Sequence, residues 1–270
     1  QVETVCWISA SKIVLSTFFY LSALICYIQY MRNSKWQYLL ASVVSSILAM
    51  GCKEQSVIIV PCLLLFDWML FKRNMRSLKV YIEKVYYLIP AIAIFIVTLV
   101  ANKNTGEEII GYTIVDRFIF LCYSSFKYLL ISAIPFKLSY LYPFPFQVGE
   151  KIPMALWIYL FVILFIGYVI YLNRRKPLLV FCTLFFILHL LPVLHVIPLP
   201  RYVVAADRYL YIPYIAFAIG LSILSYHLYE RQRKWILYAG FLYCSYLCVY
   251  TAGYAPAWKN SDTLKEHFKE

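Results

Sequence analysis

Two short charged runs interrupt long apolar sequence, and each sets a cation beside a carboxylate. Lys53-Glu54 stands between two apolar stretches, and Asp207-Arg208 stands within Ala205-Ala206-Asp207-Arg208-Tyr209-Leu210-Tyr211. A lysine or arginine at a water-poor boundary can neutralise a phosphate, and arginine can do so with two parallel hydrogen bonds. A neighbouring carboxylate can orient the cation or take a proton from a hydroxyl. Both pairs also suit structural work. Lys53-Glu54 can simply end two helices, and Asp207 can favour the positive N-terminal end of a helix dipole. Ionisable residues at membrane depth are rare and concentrate at functional sites, which weights Lys53-Glu54 toward chemistry. Asp207-Arg208 stays balanced between phosphate binding and a capping ion pair, with Arg201 adding a second cation upstream.

Other chemically able residues read more plainly. Glu3 and Lys12 flank the patch 5–8, where Glu3 fits a buried acid and a solvated one equally well. Asp67, close to Lys72 and Arg73, reads as a structural charge at the end of an apolar run. His189 and His195 lack the helical spacing of metal ligands and read as packing or hydrogen-bonding residues. The eight cysteines include no C-x-x-C pair. Six of them lie inside apolar runs, where a thiol behaves as a small hydrophobe. No phosphate-binding loop, nucleophile elbow or dinucleotide fingerprint stands in a fitting context.

The elements that must position these residues are set by composition. Of 270 residues, 63% are hydrophobic and 14% charged, with a mean hydropathy of +0.72. A soluble domain needs roughly 25% charged residues to face water. The net charge of +12 does not form a nucleic-acid surface. Its lysines and arginines sit in small groups at the ends of apolar runs, where they would meet lipid headgroups. The pattern predicts an all-α, polytopic transmembrane helix bundle, with spans near 13–31, 36–52, 56–71, 85–101, 154–172, 178–197, 209–229 and 235–253. Pro61, Pro90, Pro192 and Pro213 fall within or at the edges of these spans, where they kink a helix.

A further apolar run, 116–136, carries Lys127 and three serines, and charge arbitrates its place. If it does not cross, one side of the membrane collects thirteen Lys and Arg against Asp67, Glu83 and Glu230. The other side then holds twelve basic and ten acidic residues in longer loops. The positive-inside rule makes the first side cytoplasmic. The expectation is therefore about eight crossings, with 116–136 an interfacial or re-entrant helix on the outer face and both chain ends outside. Residues 1–254 form the membrane domain in this reading, and 255–270 an outer-face lead-in to a further domain.

Five segments in order resemble one family. They are Gln1-Val-Glu-Thr-Val-Cys-Trp-Ile-Ser9, Cys52-Lys-Glu-Gln55, Ile134-Pro-Phe-Lys-Leu-Ser-Tyr-Leu-Tyr-Pro143, Leu190-Leu-Pro-Val193 with Ile197-Pro198, and Ala206-Asp-Arg-Tyr-Leu-Tyr-Ile-Pro213. Trp258-Lys-Asn-Ser261 resembles the lead-in to a first repeat. Together they look like the bacterial polytopic glycosyltransferases of the GT-C type that carry C-terminal tetratricopeptide repeats. These are similar to the transmembrane tetratricopeptide-repeat O-mannosyltransferases of animals.

The resemblance implies a polyprenyl-phosphate sugar donor, a protein or glycan acceptor, and transfer with inversion on the periplasmic or lumenal face. It implies no nucleotide-sugar site and no cofactor or metal. Arg208, Lys53 and Arg201 would meet the lipid phosphate, with Glu54, Asp207, Glu3 and Tyr211 in support. The chain departs from the family at Ser11 and Ile13, where relatives often carry an Arg and an Asp. By the same resemblance it starts after the loop that holds the family's catalytic carboxylate. The expectation is thus a fragment, inactive alone, whose base lies outside it. The competing classes are a transporter or flippase of lipid-linked sugars and a non-catalytic membrane scaffold. A transporter predicts a mid-membrane site and an internal repeat. A scaffold predicts that Lys53 and Arg208 matter only for stability.

Overall fold

A computed structural model describes residues 1–101, 112–136, 138–139, 141–196, 203–230, 234–260 and 262–264. Among them the fold is all-α, with no strand and one isolated bridge between Tyr142 and Ala205. The ten α-helices are α1 (Val2–Cys6), α2 (Ser11–Asn33), α3 (Trp36–Cys52), α4 (Ile59–Met69), α5 (Leu78–Ala101), α6 (Ile114–Ala133), α7 (Leu160–Leu172), α8 (Pro177–Leu190), α9 (Pro213–Glu230) and α10 (Trp235–Tyr254). Short 3-10 turns extend several of them, notably Glu54–Ile58 before α4 and Asp207–Leu210 before α9.

Four helical stretches are long and apolar enough to cross a membrane: Ile8–Asn33, Leu78–Ala101, Met154–Leu172 and Trp235–Trp258. Trp36–Cys52 and Pro177–Val193 are apolar but shorter. The chain therefore has the make-up of an integral membrane protein. Its exterior agrees: α7 contributes no buried residue, and its outward Phe161, Leu164 and Phe165 suit lipid rather than water. The span expected at 178–197 ends sooner as a helix, because the chain passes through a 3-10 turn at Leu191–Val193 to a left-handed His195.

Small and hydroxylated side chains let the bundle close tightly. α2 turns into α3 through Ser34, whose positive φ of 55° lets its N–H bond the Tyr30 carbonyl at 2.8 Å. The α2–α3 pair is the most extensive contact in the bundle, with Ala23 and Ala49 both fully buried. There Ser42 Oγ donates to Ala23 O at 2.7 Å, and Tyr87 of α5 donates to Ser42 at 2.8 Å. Hydroxyls facing carbonyls across helices act as glue where lipid supplies no hydrophobic drive. α6 opens with a reciprocal cap, in which Thr113 and Asp116 bond each other's backbone N–H. Its Lys127 lies over the Tyr142 ring at 5.2 Å, so this charge meets a loop aromatic. α10 is tied to the end of α6 and the chain just after it by Tyr243 and Tyr246, which donate to Ala133 O and Pro135 O at 2.8 and 2.6 Å.

Candidate functional site

Lys53 sits where α3 stops. Its backbone is extended, with φ −151°, and the 3-10 turn Glu54–Ile58 follows at once. This junction is held against the start of α2, where Ser16 Oγ bonds Ala49 O at 2.9 Å and the Ser56 hydroxyl at 2.7 Å. Lys53 Nζ meets Glu54 Oε1 at 2.9 Å, with the lysine largely covered and the glutamate more open.

Arg208 reaches the same region from the other half of the chain. Its 3-10 turn follows an extended segment, 203–206, that is buried and held from several sides. Val204 N bonds Tyr142 O at 2.8 Å, Ser124 Oγ donates to Val204 O at 3.1 Å, and Ala206 N donates to Tyr128 at 3.3 Å. His195 Nε2 lies 2.9 Å from the same Val204 carbonyl. With its backbone fixed in this way, Arg208 can present its guanidinium in one place.

The carboxylate bonded to Arg208 is Glu3, across the whole chain. Glu3 Oε2 accepts the Arg208 backbone N–H at 2.8 Å, and Oε1 accepts from Nη1. Glu3 is 1% exposed, which settles it as a buried acid. Burial raises its pKa, and the attraction of Arg208 offsets this only in part. The Trp7 and Tyr209 rings lie 5.4 and 5.1 Å from the guanidinium and shield it from water.

Lys53, Arg208 and Tyr211 line one narrow cleft, together with Ser56, Tyr20 and His189. The cleft holds about 30 Å³, room for little more than a water. A phosphate could enter only if side chains moved. His189 Nδ1 faces the Phe185 carbonyl at 2.8 Å, and a carbonyl can only accept. Nδ1 therefore carries the proton, and Nε2 accepts from Tyr20 at 2.8 Å.

Asp207 points elsewhere. Its Oδ1 accepts from Tyr142 at 3.0 Å, while Oδ2 has no hydrogen-bond partner among the described residues. Burial pushes its pKa up to about 7 with help from nearby Glu3, against the Tyr142 hydrogen bond. Asp207 lines a second pocket of about 210 Å³ with Tyr214 and Tyr250. The expected cation Arg201 lies outside the described residues.

A second charged cluster occupies the other end of α2. Asp67 accepts from Tyr27 and Lys84 at 2.6 Å each, and from Arg73 at 3.3 Å. Arg73 also forks onto Glu83 at 2.6 and 3.2 Å, and Tyr30 donates to Glu83 at 3.1 Å. Asp67 thus pairs with Arg73, as its position suggested, and with Lys84 rather than Lys72.

Sequence reasoning did not single out Tyr20, Trp7 or Tyr142. A signal for Tyr20 exists: Ser16, Thr17 and Tyr20 form a polar stripe at helical spacing in an apolar run. Tyr142 carries no such local sign, because its partners are far away in the chain. Among the described residues no three His, Cys, Asp or Glu side chains gather as metal ligands. No family model, curated protein or solved structure matches the chain.

Proposed function

We propose that the chain is the membrane part of a glycosyltransferase that takes sugar from a polyprenyl phosphate and passes it to a protein or glycan hydroxyl. The supporting observation is the convergence of Lys53 and Arg208, from distant parts of the sequence, on one cleft at one end of the bundle. In the transfer, the bond between the sugar carbon and the phosphate oxygen breaks, and its electron pair stays on the phosphate. The acceptor oxygen bonds the carbon from the opposite face, and its proton goes to a base. Two cations in a water-poor cleft stabilise the phosphate as its charge grows. Lys53 exchanges Glu54 for the phosphate, and its position near the surface lets the cleft open.

The same reading has the bundle cross about eight times, with α6 lying along the outer face and the cleft opening there. Lys127 over Tyr142 supports a surface course for α6, since its charge meets a loop rather than lipid. Cysteine labelling at Gln147, in a version without the eight native cysteines, tests the topology. Reagent reaching Gln147 only from the outside is expected, and labelling from the cytoplasm overturns it.

The function itself is tested by incubating the intact protein carrying this chain with a synthetic polyprenyl-phosphate sugar and a hydroxyl acceptor. Transfer is expected, with Lys53→Ala and Arg208→Ala each slowing it while donor binding weakens less. A folded protein without transfer removes the reading. Variants that lose only stability favour a scaffold.

A further inference from the structure

A groove of about 330 Å³ runs between α6, α7, α8 and α9, apart from the cleft that holds Arg208. Phe165, Val169, Phe186, Phe217 and Leu221 supply much of its wall. Two polar side chains inside it bond carbonyls of their own helical turns. Asn173 Nδ2 donates to Val169 O and Thr183 Oγ1 to Leu179 O, each at 2.9 Å. The interior therefore suits hydrocarbon better than a polar ligand. Along α9 the wall extends from Ala216 to Leu224, about 12 Å at 1.5 Å per residue. That length accepts much of an acyl chain.

One end of the groove is charged. Lys176 lines it, and the exposed Arg174 and Arg175 precede it in the same turn. The Arg174 guanidinium rests over the exposed Tyr171 ring at 4.2 Å. An apolar slot with Lys176 at its mouth, in a turn that carries two further exposed cations, is complementary to one amphiphile, an acyl chain with an anionic head. We propose that this groove is a fixed site for an anionic phospholipid, its phosphate on Lys176 and its acyl chain along α9. The lipid comes from the leaflet that faces the Arg174–Lys176 turn. The inference rests on the membrane setting and not on the transferase reading.

Gly220 makes the groove adjustable. It lines the wall, and a Cβ there would meet only the Cys182 Cβ at 3.7 Å, an ordinary contact. Gly220→Leu therefore fills the groove with little disturbance of the packing. The test is lipid titration of the purified protein in detergent, read by native mass spectrometry and by melting temperature. The probes are dioleoyl-phosphatidylglycerol, dioleoyl-phosphatidylcholine and dihexanoyl-phosphatidylglycerol.

The dioleoyl anionic lipid is expected to bind about ten-fold tighter than the zwitterionic one, as basic residues at a membrane surface imply. Combined Arg174→Gln, Arg175→Gln and Lys176→Gln should erase that preference. Gly220→Leu should weaken both dioleoyl lipids about ten-fold, in line with lost acyl burial. Equal affinity for the two headgroups in the unaltered protein overturns the proposal. So does unchanged binding by a folded Gly220→Leu protein. Dihexanoyl lipid binding as tightly as dioleoyl would mean a headgroup site without a tail, and also overturns it. If Gly220→Leu does not fold, the chain-length comparison makes the same distinction in the unaltered protein.

Discussion

The two ends of α2 hold charge in opposite ways. Near its C-terminus, Tyr27 joins a cluster in which two carboxylates meet two cations and two tyrosines, with both oxygens of each carboxylate bonded. Near its N-terminus, about 16 Å away from Ser16 to Tyr27 at 1.5 Å per residue, charges border a narrow cleft and a neighbouring pocket. Arg208 and Lys53 line a cleft, and one oxygen of Asp207 has no hydrogen-bond partner among the described residues. A closed cluster leaves nothing for a ligand to do, so its work is to join α2 to α4 and α5. An incompletely satisfied one costs stability, and that cost is what ligand sites commonly carry.

If the contrast is right, stability and turnover should separate between the ends. Asp67→Ala should cost the most stability, about 3–5 kcal/mol, because it strands Lys84 among buried groups. Reversible denaturation in detergent measures this, and a Tm close to the parent's would break the comparison. Arg208→Ala should instead cut kcat/KM of the intact protein about 10²-fold. Its cost in stability should be smaller than that of Asp67→Ala. Glu3 keeps the backbone N–H at position 208 and, with its pKa already raised, can take up a proton. Arg208→Lys should fall between, having kept charge and lost the planar fork.

Glu3→Gln should reduce turnover about ten-fold, since a neutral amide holds the guanidinium less firmly than a carboxylate. Asp207 provides a pH test. Its pKa is raised from 3.8 to about 7 in the folded protein. A raised acid contributes stability that is full below its unfolded value and is lost as pH rises through its folded one. The melting temperature should therefore fall between about pH 4 and pH 7, and Asp207→Asn should remove that component. Tyr20→Phe should have the smallest effect, about 1 kcal/mol, for loss of the hydroxyl that bonds His189. A larger loss would mean that the cleft is structural like the other end.

How much of this the sequence contained depends on distance along the chain. Apolar runs and basic turns are local, and they were enough for an all-α membrane bundle and for the break at Lys53, while the span expected from Tyr209 begins as α9 only at Pro213. The capping box at Thr113 and Asp116 is equally local. Lys53 and Arg208 stood out because charge in such a setting is rare. Their meeting was not readable, since it depends on how α3 and the turn before α9 pack around α2. The partner of Arg208 was hidden for the same reason. Asp207 is its neighbour in sequence, yet the 3-10 turn sends the two side chains to different pockets and leaves Glu3 to bond the arginine. Lys84 looked like a surface cation of a basic loop, and it is 3% exposed beside Asp67.

The bond between Glu3 and Arg208 links residues 205 positions apart. A ribosome adding about 5–20 residues per second needs on the order of 10–40 s to pass from one to the other. Throughout that interval the helices between them can enter the bilayer and pair, while Glu3 waits without the arginine. An unpaired carboxylate at a membrane boundary costs more than one bonded to its cation. The cleft would then be the last part of the bundle to form, and an unpaired Glu3 would mark chains whose assembly stopped early.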